Sequence, residues 1–568
     1  MLTRPEDLSN PPKTTLFSQL LRDHSDIRAK NPVDESGPFQ RLCEACRRGD
    51  LQTVQNLIAY EGVNLNAVDR FDNLPLTLAS LCGHYEVVEL LLESGAVCER
   101  DTFQGERILY NALNSRIRNL LVRYDYSKSI DPAQPWAAHI ASLLSREPLD
   151  TTDIVITATT ATGLEMAFHL HKFMLSARSP YLRRRLSLPY TPTAANEHEP
   201  KKTIRLSQSF SPRALETVVK HIYLGDIFVD PNSDEDAMEN IEKLSRHLEI
   251  PELCELLLAD TPKLRRQLRS EGLKKAQAGM EEWVQENVLK KRIVVRKSQV
   301  GGIKMFPGND SFADVLIRSD EPDWHGAEVV DAGTGGEVEE EEDYFTHIYP
   351  THKALLRSEF FTAMFTSPFL EGLPTTPASP LPIISLPLPA STLPYLLLHL
   401  YLETPTPPPL QHSLSLLYTS DLLFLDRLKS KCAQVIATAS DDLPFHIYDV
   451  IRAAWATRVP RLEAFGAKYI AERLEDFLPD PEFLELVAES AGRIKGRQET
   501  DTIELVDDIR YYLDERFRMR VEDNLGFCGN GEEAAGEVDG SLKTEKGHVY
   551  EELLGRIDAL LEELKLDA

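Results

Sequence analysis

The sequence predicts a multidomain protein that is mainly α-helical and contains additional α+β domains. Three observations support this prediction. The chain has 568 residues, which allows about four domains at roughly 150 residues each. A short helical pattern repeats near the N-terminus, and a longer pattern of strands and helices occurs twice further along the chain. We therefore expect several domains joined in series rather than one compact fold.

The composition excludes several classes of function. Lys and Arg number 62 against 90 Asp and Glu, which gives a net charge of -28. Such an acidic chain is a poor candidate for nucleic-acid binding, which needs clustered positive charge. The apolar stretch 381–402 contains four prolines and does not suit a membrane span. The N-terminus has no apolar signal-peptide core, and the seven Cys lack paired spacing. We expect a soluble cytoplasmic protein, and a nuclear location as well is left open.

The first repeated pattern is helical. Residues 40–58 and 72–96 align at an offset of 34 residues, a spacing typical of helix-turn-helix units that bury their faces on a neighbour. Pro75 stands where a helix begins, and Gly83 where one ends. With its Asp-x-x-Pro-Leu-x-x-Ala start and its Gly-His link, the pattern resembles the ankyrin repeat. A third, shorter copy from Asp101 onward is predicted to cap a short stack.

The second duplication covers 153–182 and 314–361 and continues into two matching helices. In each copy an Asp opens a short apolar strand, and a second strand ends in His-Lys before a helix. Further on, both copies carry a helix that ends in His-x-Tyr-Leu. This order resembles the BTB/POZ domain, twice in one chain. The resemblance implies that the repeated polar residues belong to the fold; they are Asp153, His171, Lys172, Asp314, His352 and Lys353.

Charged segments separate and interrupt the two copies. The segment 261–300 is rich in Lys and Arg and could be a nuclear signal or an anion-binding patch. Charge runs on helices are usually solvated, so a charged helical linker is favoured. Within the second copy, the insertion 320–343 is rich in Asp and Glu and has no Lys or Arg. Such a segment repels itself and buries little, which predicts a disordered acidic loop.

The C-terminal part is helical in pattern. Residues 441–525 resemble the BACK-type extension that follows many BTB domains, in order and character only. A terminal helix with apolar residues at helical spacing follows a polar, Gly-rich segment. This helix either binds a partner or folds back on the extension. The predicted boundaries are 1–37 (flexible), 38–128 (ankyrin repeats), 129–150 (connector), 151–260 (first BTB/POZ), 261–300 (linker), 301–440 (second BTB/POZ), 441–525 (BACK-like region) and 526–568 (flexible tail with terminal helix).

No sequence pattern of a catalytic, cofactor-binding or metal site is found. Cys43 and Cys46 form a C-x-x-C, but no second ligand pair follows at zinc spacing. Both fall on a repeat helix, which favours a place in the core. Walker-type lysine, H-E-x-x-H and G-x-S-x-G patterns are absent from the sequence. We therefore expect no enzyme activity and no cofactor, and we expect the partners to be proteins.

The order of ankyrin, BTB, linker, BTB and helical extension resembles the ankyrin repeat and BTB/POZ domain-containing protein 1 family. The resemblance implies a substrate adaptor of a cullin-3 RING ubiquitin ligase, with one BTB surface holding the cullin and another module holding an unidentified protein substrate. A non-degradative scaffold that uses its BTB copies for self-association is the alternative. Pairing of the two BTB copies within one chain or between chains is open, and pairing within the chain is favoured.

Candidate contact residues follow from this resemblance. Cullin-binding BTB domains carry an apolar residue two positions before an acid, and the second copy matches this pattern whereas the first does not. The cullin-docking candidates are Met364, Phe365, Phe369 and Glu371; the alternative for Phe369 is packing on its own domain. Exposed ankyrin turns are predicted to recruit the substrate, since aromatic residues at such tips are favoured anchors. The turn candidates are Asp69, Arg70, Phe71, Asp72, Asp101, Phe103 and Gln104.

Overall fold

The computed structural model divides the chain into two compact units, one ending at Pro407 and the other beginning at Pro408. The residues that the structure describes are 33–61, 63–94, 96, 98, 103–123, 134–144, 150–160, 163, 165–187, 202–207, 210–225, 227, 235–259, 262–321, 344–356, 358–367, 372, 379–403, 406–439, 443–493, 503–526 and 538–564. This division differs from the boundary predicted at residue 440.

The N-terminal unit begins with three consecutive pairs of helices. They are α1 (Gly37–Arg48), α2 (Leu51–Glu61), α3 (Pro75–Cys82), α4 (Tyr85–Glu93), α5 (Phe103–Tyr110) and α6 (Ser115–Arg123). The Ser36 hydroxyl caps α1 by accepting from the Phe39 N–H at 3.4 Å. Gly49 and Gly83 follow α1 and α3 at φ +75° and +87°, the left-handed conformation that glycine adopts without strain. Apolar faces of all six helices share one core, which includes both Cys43 and Cys46.

A first α+β domain follows the helical pairs. Its elements are α7 (Gln134–Ser142), β1 (Ile154–Thr159), β2 (Glu165–Leu170), α8 (Lys172–Arg178), α9 (Pro180–Leu186), β3 (Lys202–Arg205), α10 (Pro212–Ile222), α11 (Glu235–His247) and α12 (Glu252–Leu257). The sheet has the order β2-β1-β3. Strands β1 and β2 are antiparallel, whereas β1 and β3 are parallel.

A second α+β domain repeats this order. Its elements are α13 (Pro262–Val284), a π-helical turn (Gln285–Leu289), β4 (Ile293–Arg296), a 3-10 helix (Lys297–Gly302), β5 (Val315–Glu321), β6 (Phe345–Thr351), a 3-10 turn (Lys353–Leu355), α14 (Glu359–Thr366), β7 (Ile383–Pro389) and α15 (Leu393–Leu402). The sheet order is β4-β6-β5-β7. As in the first domain, the opening strand pairs antiparallel with the next strand and parallel with the last. The two domains therefore share one topology, and β4 is an addition to the second.

The segment between the domains differs from the solvated linker predicted over 261–300. Its helix buries Ala276, Met280, Trp283 and Val284, and its last residues form β4. Strand β4 pairs antiparallel with β6, with Ile293 opposite Ile348. Alternate residues of β4 pack on the core beside this sheet, as strand periodicity requires. The segment is thus part of the fold.

The predicted acidic loop begins later than residue 320. Asp320 and Glu321 are the last residues of β5, and the loop residues 322–343 lie outside the described part of the chain. The Tyr344 hydroxyl donates to the Asp320 carbonyl. Two residues of the predicted loop therefore belong to the sheet.

The C-terminal unit is helical in its described residues. Its elements are α16 (Leu410–Leu422), α17 (Asp426–Ala437), α18 (Ile447–Thr457), α19 (Pro460–Glu472), α20 (Leu474–Phe477), α21 (Pro481–Gly492), α22 (Glu504–Gly526) and α23 (Val538–Glu563). Helices α16 and α17 pack with α18 and α19, which is why the unit starts well before residue 440.

Of the two alternatives for the terminal helix, the structure has the fold-back. Helix α23 packs along α22 and buries Leu553 and Ile557. At its outer side, Arg510 Nη2 donates to Asp558 Oδ1 at 2.7 Å. The regularly spaced apolar residues of this helix, among them Leu553 and Ile557, therefore pack within the chain.

Candidate interaction surfaces

Each α+β domain contains a buried His-Tyr pair that joins its second strand to a later helix. In the first domain, the His171 backbone N–H donates to the Tyr223 hydroxyl at 2.8 Å, and His171 Nδ1 lies 3.0 Å from the same oxygen. His171 Nε2 lies 2.9 Å from the Thr151 hydroxyl. Both ring nitrogens are thus paired inside the domain, as expected for a residue of the fold.

The second domain repeats the pair with a fixed tautomer. The His352 Nδ1 atom lies 2.8 Å from the Tyr401 hydroxyl, and its Nε2 atom lies 2.8 Å from the Ser311 carbonyl. Because a carbonyl only accepts, Nε2 carries the proton and Nδ1 accepts from the tyrosine. Burial lowers the pKa of His352 to about 4, so the ring is neutral at pH 7.

The Asp-Lys pairs are duplicated in the same way. Asp153 Oδ1 accepts from the Lys172 backbone N–H, and Asp314 Oδ1 accepts from the Lys353 N–H, both at 2.8 Å. Each pair ties the start of the first strand to the end of the second. The predicted fold residues therefore occupy equivalent positions in the two domains.

Replacing Asp314 by Asn should flatten the pH dependence of stability. Burial raises the pKa of Asp314 from 3.8 to about 7, and the Asp153 charge adds to this rise. Between these pH values the folded chain holds a proton that the unfolded chain has lost. The free energy of unfolding therefore falls as pH rises through this window, by up to about 1.4 kcal/mol per pH unit. Asp314→Asn keeps an acceptor for the Lys353 N–H and removes the titration.

The measurement is the melting temperature at pH values from 4 to 7, for the wild-type chain and the variant. Asp310→Asn serves as the control because Asp310 is exposed. Parallel curves for wild type and Asp314→Asn would contradict the assignment.

The two domains contact each other through rings contributed by α8, α13 and the end of β6. Phe173 and His352 have ring centroids 4.7 Å apart, and Trp283 lies 5.4 Å from His352. Trp283 Nε1 donates to the Ser176 hydroxyl at 3.2 Å. Trp283 on α13 therefore bonds to the first domain and packs its ring against the second.

Backbone acceptors of α15 extend this contact. Trp136 Nε1 of α7 donates to the Tyr401 carbonyl at 2.8 Å. The Gln277 amide of α13 donates to the Leu402 carbonyl at 2.9 Å. The last carbonyls of a helix have no partner within the helix. At the end of α15, these two side chains supply the missing donors to the Tyr401 and Leu402 carbonyls.

The ankyrin turn candidates separate into turn residues and exposed residues. The Asp69 carboxylate accepts from the Phe71 and Asn73 N–H groups, each at 2.8 Å. Asp72 has φ +62°, and its carbonyl accepts from Arg107 of the next repeat at 2.8 Å. The Asp69 side chain and the Asp72 backbone therefore shape the turn.

Arg70, Phe71 and Asp72 are the exposed members of this turn. Phe71 is 62% exposed, and the Arg70 guanidinium lies 4.7 Å from the centre of its ring. Asp101 lies outside the described residues, as do the side chains of Phe103 and Gln104 on α5. The sequence did not single out Tyr110, which is 87% exposed at the end of α5. Its position in the last turn of a capping helix is the sequence feature from which its exposure could have been predicted.

Two of the four cullin-docking candidates, Met364 and Phe365, lie among the described residues. Phe365 is a core residue that stacks on Phe361 at 5.9 Å and lies under the Lys353 ammonium. Its side chain therefore packs within the domain and is not itself exposed for docking. Met364 is half-buried on α14. Phe369 and Glu371 lie outside the described residues.

The described part of the chain has neither a metal-binding cluster nor a membrane-spanning helix. No group of three or more His, Cys, Asp or Glu among them could hold a metal ion. None of the described helices is long and apolar enough to span a membrane.

Comparison with known proteins identifies the family of this chain. It is 37% identical over 562 residues to BTB/POZ domain-containing protein 3 of Schizosaccharomyces pombe, an alignment that covers 98% of this chain and 95% of that protein. The chain belongs to this family. It is also 32% identical over 502 residues to the ankyrin repeat-containing protein YIL001W of Saccharomyces cerevisiae, covering 85% of this chain and 91% of that protein.

Family models match two regions of the chain. The model for ankyrin repeats (3 copies) matches residues 13–130, and the BTB/POZ domain model matches residues 142–261. The ankyrin repeats and the first BTB/POZ domain are thus confirmed. Both are protein-interaction modules, so this member of the family is a protein-interaction adaptor. The exposed residues Arg70, Phe71, Asp72 and Tyr110 lie on the ankyrin module, and the His171–Tyr223 pair lies in the matched BTB/POZ domain.

Proposed function

We propose that the chain is the substrate-recognition subunit of a cullin-3 RING ubiquitin ligase. In this proposal the second α+β domain is a second BTB/POZ domain that docks the cullin, and the C-terminal unit contains a BACK-like extension. The ankyrin module recruits the protein substrate. The observation that carries the proposal is the repetition of the BTB/POZ topology and its His-Tyr pair in a chain that also has an ankyrin stack.

The choice of the second domain rests on a difference between the two copies. In the first domain, the corresponding helix α9 carries three consecutive arginines. Arg183 Nε donates to the Ser176 carbonyl at 2.9 Å, Arg184 pairs with Glu249, and Arg185 donates to the Tyr181 hydroxyl at 3.0 Å. This surface is basic and tied to its own domain. The second copy instead has Phe369 and Glu371 after α14, the apolar-x-acid pattern.

The test is a pull-down of the full chain with the N-terminal domain of a cullin-3 protein. Phe369→Ala should reduce binding about thirtyfold or more, because a buried aromatic anchor contributes roughly 2 kcal/mol or more. Glu371→Ala should weaken binding less, and mainly at low salt, since a rim charge is screened. Arg185→Ala on the exposed face of α9 is the matched control and should bind like wild type.

Equal binding by wild type and Phe369→Ala, with matching melting temperatures, would remove the docking surface from the proposal. The second candidate function would then stand: a non-degradative scaffold.

Pairing of the two BTB-like domains within one chain belongs to the same proposal. The contacts of Trp283, Phe173 and His352 support it. If these contacts replace those of a dimer, the chain should be a monomer of 64.1 kDa at low micromolar concentration. Light scattering coupled to size exclusion measures the mass, and a value twice as large at the lowest concentration would contradict internal pairing.

A further inference from the structure

A small cavity lies between the first α+β domain and helix α13. Its volume is about 100 Å³, and it lies among the ends of α8 and α10 and the helices α12 and α13. Aliphatic side chains form much of its wall; they include Leu224, Leu256, Leu257, Leu268 and Leu273. One part of the cavity is therefore suited to an apolar group.

Two polar side chains at the cavity have buried nitrogens without partners. Arg178 ends α8, and His221 lies in the last turn of α10. Among the described residues, none forms a hydrogen bond with Arg178 Nε or with His221 Nε2. Burial, together with the charge of Arg178, lowers the pKa of His221 to about 3, so this ring is neutral at pH 7. Buried polar atoms normally have a partner, and here both belong to residues that line the same cavity.

The charge of the lining favours an anion. Arg178 and Arg269 contribute two guanidinium groups, and Glu252 contributes one carboxylate. The Glu252 charge partly offsets the burial that lowers the pKa of Arg178, but Arg178 Nε still has no acceptor. A water molecule could accept from Nε, and Arg178, His221 and Glu252 offer the two to four polar partners that it needs, but water alone leaves the leucine-lined part of the cavity unfilled. A ligand that carries an oxygen anion on an apolar group fits both the basic part and the leucine-lined part of the cavity.

We propose that this cavity binds a carboxylate carried on a short aliphatic group. Arg178 Nε and the protonated Nε2 of neutral His221 donate to the carboxylate oxygens, and the leucines cover the aliphatic part. The carboxylate belongs either to a free small acid or to the C-terminal residue of a peptide, since both present the same chemistry. The site is independent of the proposed cullin and substrate surfaces.

Gly272 provides a way to close the cavity. It lies on α13 and lines the cavity, and a Cβ built there meets no heavy atom within 4 Å apart from neighbouring backbone. A leucine at this position would therefore extend into the free volume. Lys275 is exposed on the same helix, so Lys275→Leu is a matched control for adding leucine to α13.

The experiment titrates the full chain by calorimetry with isocaproate and with its uncharged amide. Isocaproate should bind saturably, and the amide should bind at least about tenfold more weakly, because bonds to charged groups are the stronger ones. Arg178→Met should weaken isocaproate at least tenfold, Gly272→Leu should abolish its binding, and Lys275→Leu should leave it unchanged. A short peptide ending in leucine, with a free or an amidated C-terminus, tests the second source.

Binding of the free acid alone assigns a small-molecule ligand, and binding of the peptide acid alone assigns a peptide end. Failure of both acids to bind, equal binding of acid and amide, or wild-type affinity in Gly272→Leu would overturn the proposal. Should Arg178→Met fail to fold, Gly272→Leu still decides the outcome.

Discussion

Trp283→Ala should destabilise the N-terminal unit by about 3–5 kcal/mol, the usual loss on removing a buried large aromatic side chain. Trp283 is 2% exposed and packs on both Phe173 and His352. The substitution leaves a cavity at the contact between the two α+β domains and removes the donor to the Ser176 hydroxyl. Chemical unfolding followed by circular dichroism measures the loss, and hydrogen exchange in α8 locates it.

The matched control is Trp455→Ala in the C-terminal unit. Trp455 is half-buried and lies under the Arg493 guanidinium at 4.6 Å, so its loss should cost roughly 1 kcal/mol, as for a typical point mutant. Trp283→Phe keeps most of the volume and should fall between wild type and Trp283→Ala. Equal effects of Trp283→Ala and Trp455→Ala would show that the contact between the domains contributes little.

Gly466→Ala should destabilise the C-terminal unit by about 1–3 kcal/mol, the usual cost of overpacking a core. Gly466 lies inside α19, and a Cβ at this position would come within 2.4 Å of Ile451 Cγ1 on α18. In an open helix the same change would instead stabilise by roughly 0.5–1 kcal/mol. The result measures how closely α18 and α19 approach.

Gly555→Ala in α23 is the control, because a Cβ there meets nothing within 4 Å. Thermal unfolding of the two variants should shift in opposite directions. A rise in melting temperature with Gly466→Ala would mean that Ile451 moves aside and that the helix contact is looser than described. A Gly466→Ala, Ile451→Ala double variant should lose less stability than the sum of the two single variants, because Ala lacks both Cγ1 and Cδ1, the atoms that the new Cβ would meet.

The sequence was most informative where a residue pattern is repeated. The duplicated His-Lys and His-x-Tyr patterns predicted residues of the fold, and His171 and His352 indeed bond to the hydroxyls of Tyr223 and Tyr401. A residue that occurs at the same position in both copies is more often required by their common topology than present by chance, because the two copies differ at most other positions. For the same reason the helix ends at Gly49 and Gly83 could be expected from the repeat.

Contacts between copies could not be predicted in this way, because they are not repeated. Strand β4 is only four residues long and is flanked by Lys and Arg. The segment was therefore predicted as a charged helical linker, and the short strand within it was not recognised. Phe365 belongs to an aromatic run in which the buried and the exposed members are distinguished only by the direction of the helix face. Arg178 and His221 are 43 positions apart in sequence and meet only through the packing of α8 and α10.

The contact around Trp283 has a consequence for stoichiometry. A homodimer presents each of its surfaces twice, because its two-fold axis relates identical patches. Two joined domains of different sequence have no such axis, and α13 and β4 are each present once per chain. Under the pairing within the chain proposed above, any partner that binds a feature of one domain finds a single site per molecule, and avidity through a second identical site is not available to it. In that assembly the chain is a monovalent form of a bivalent architecture.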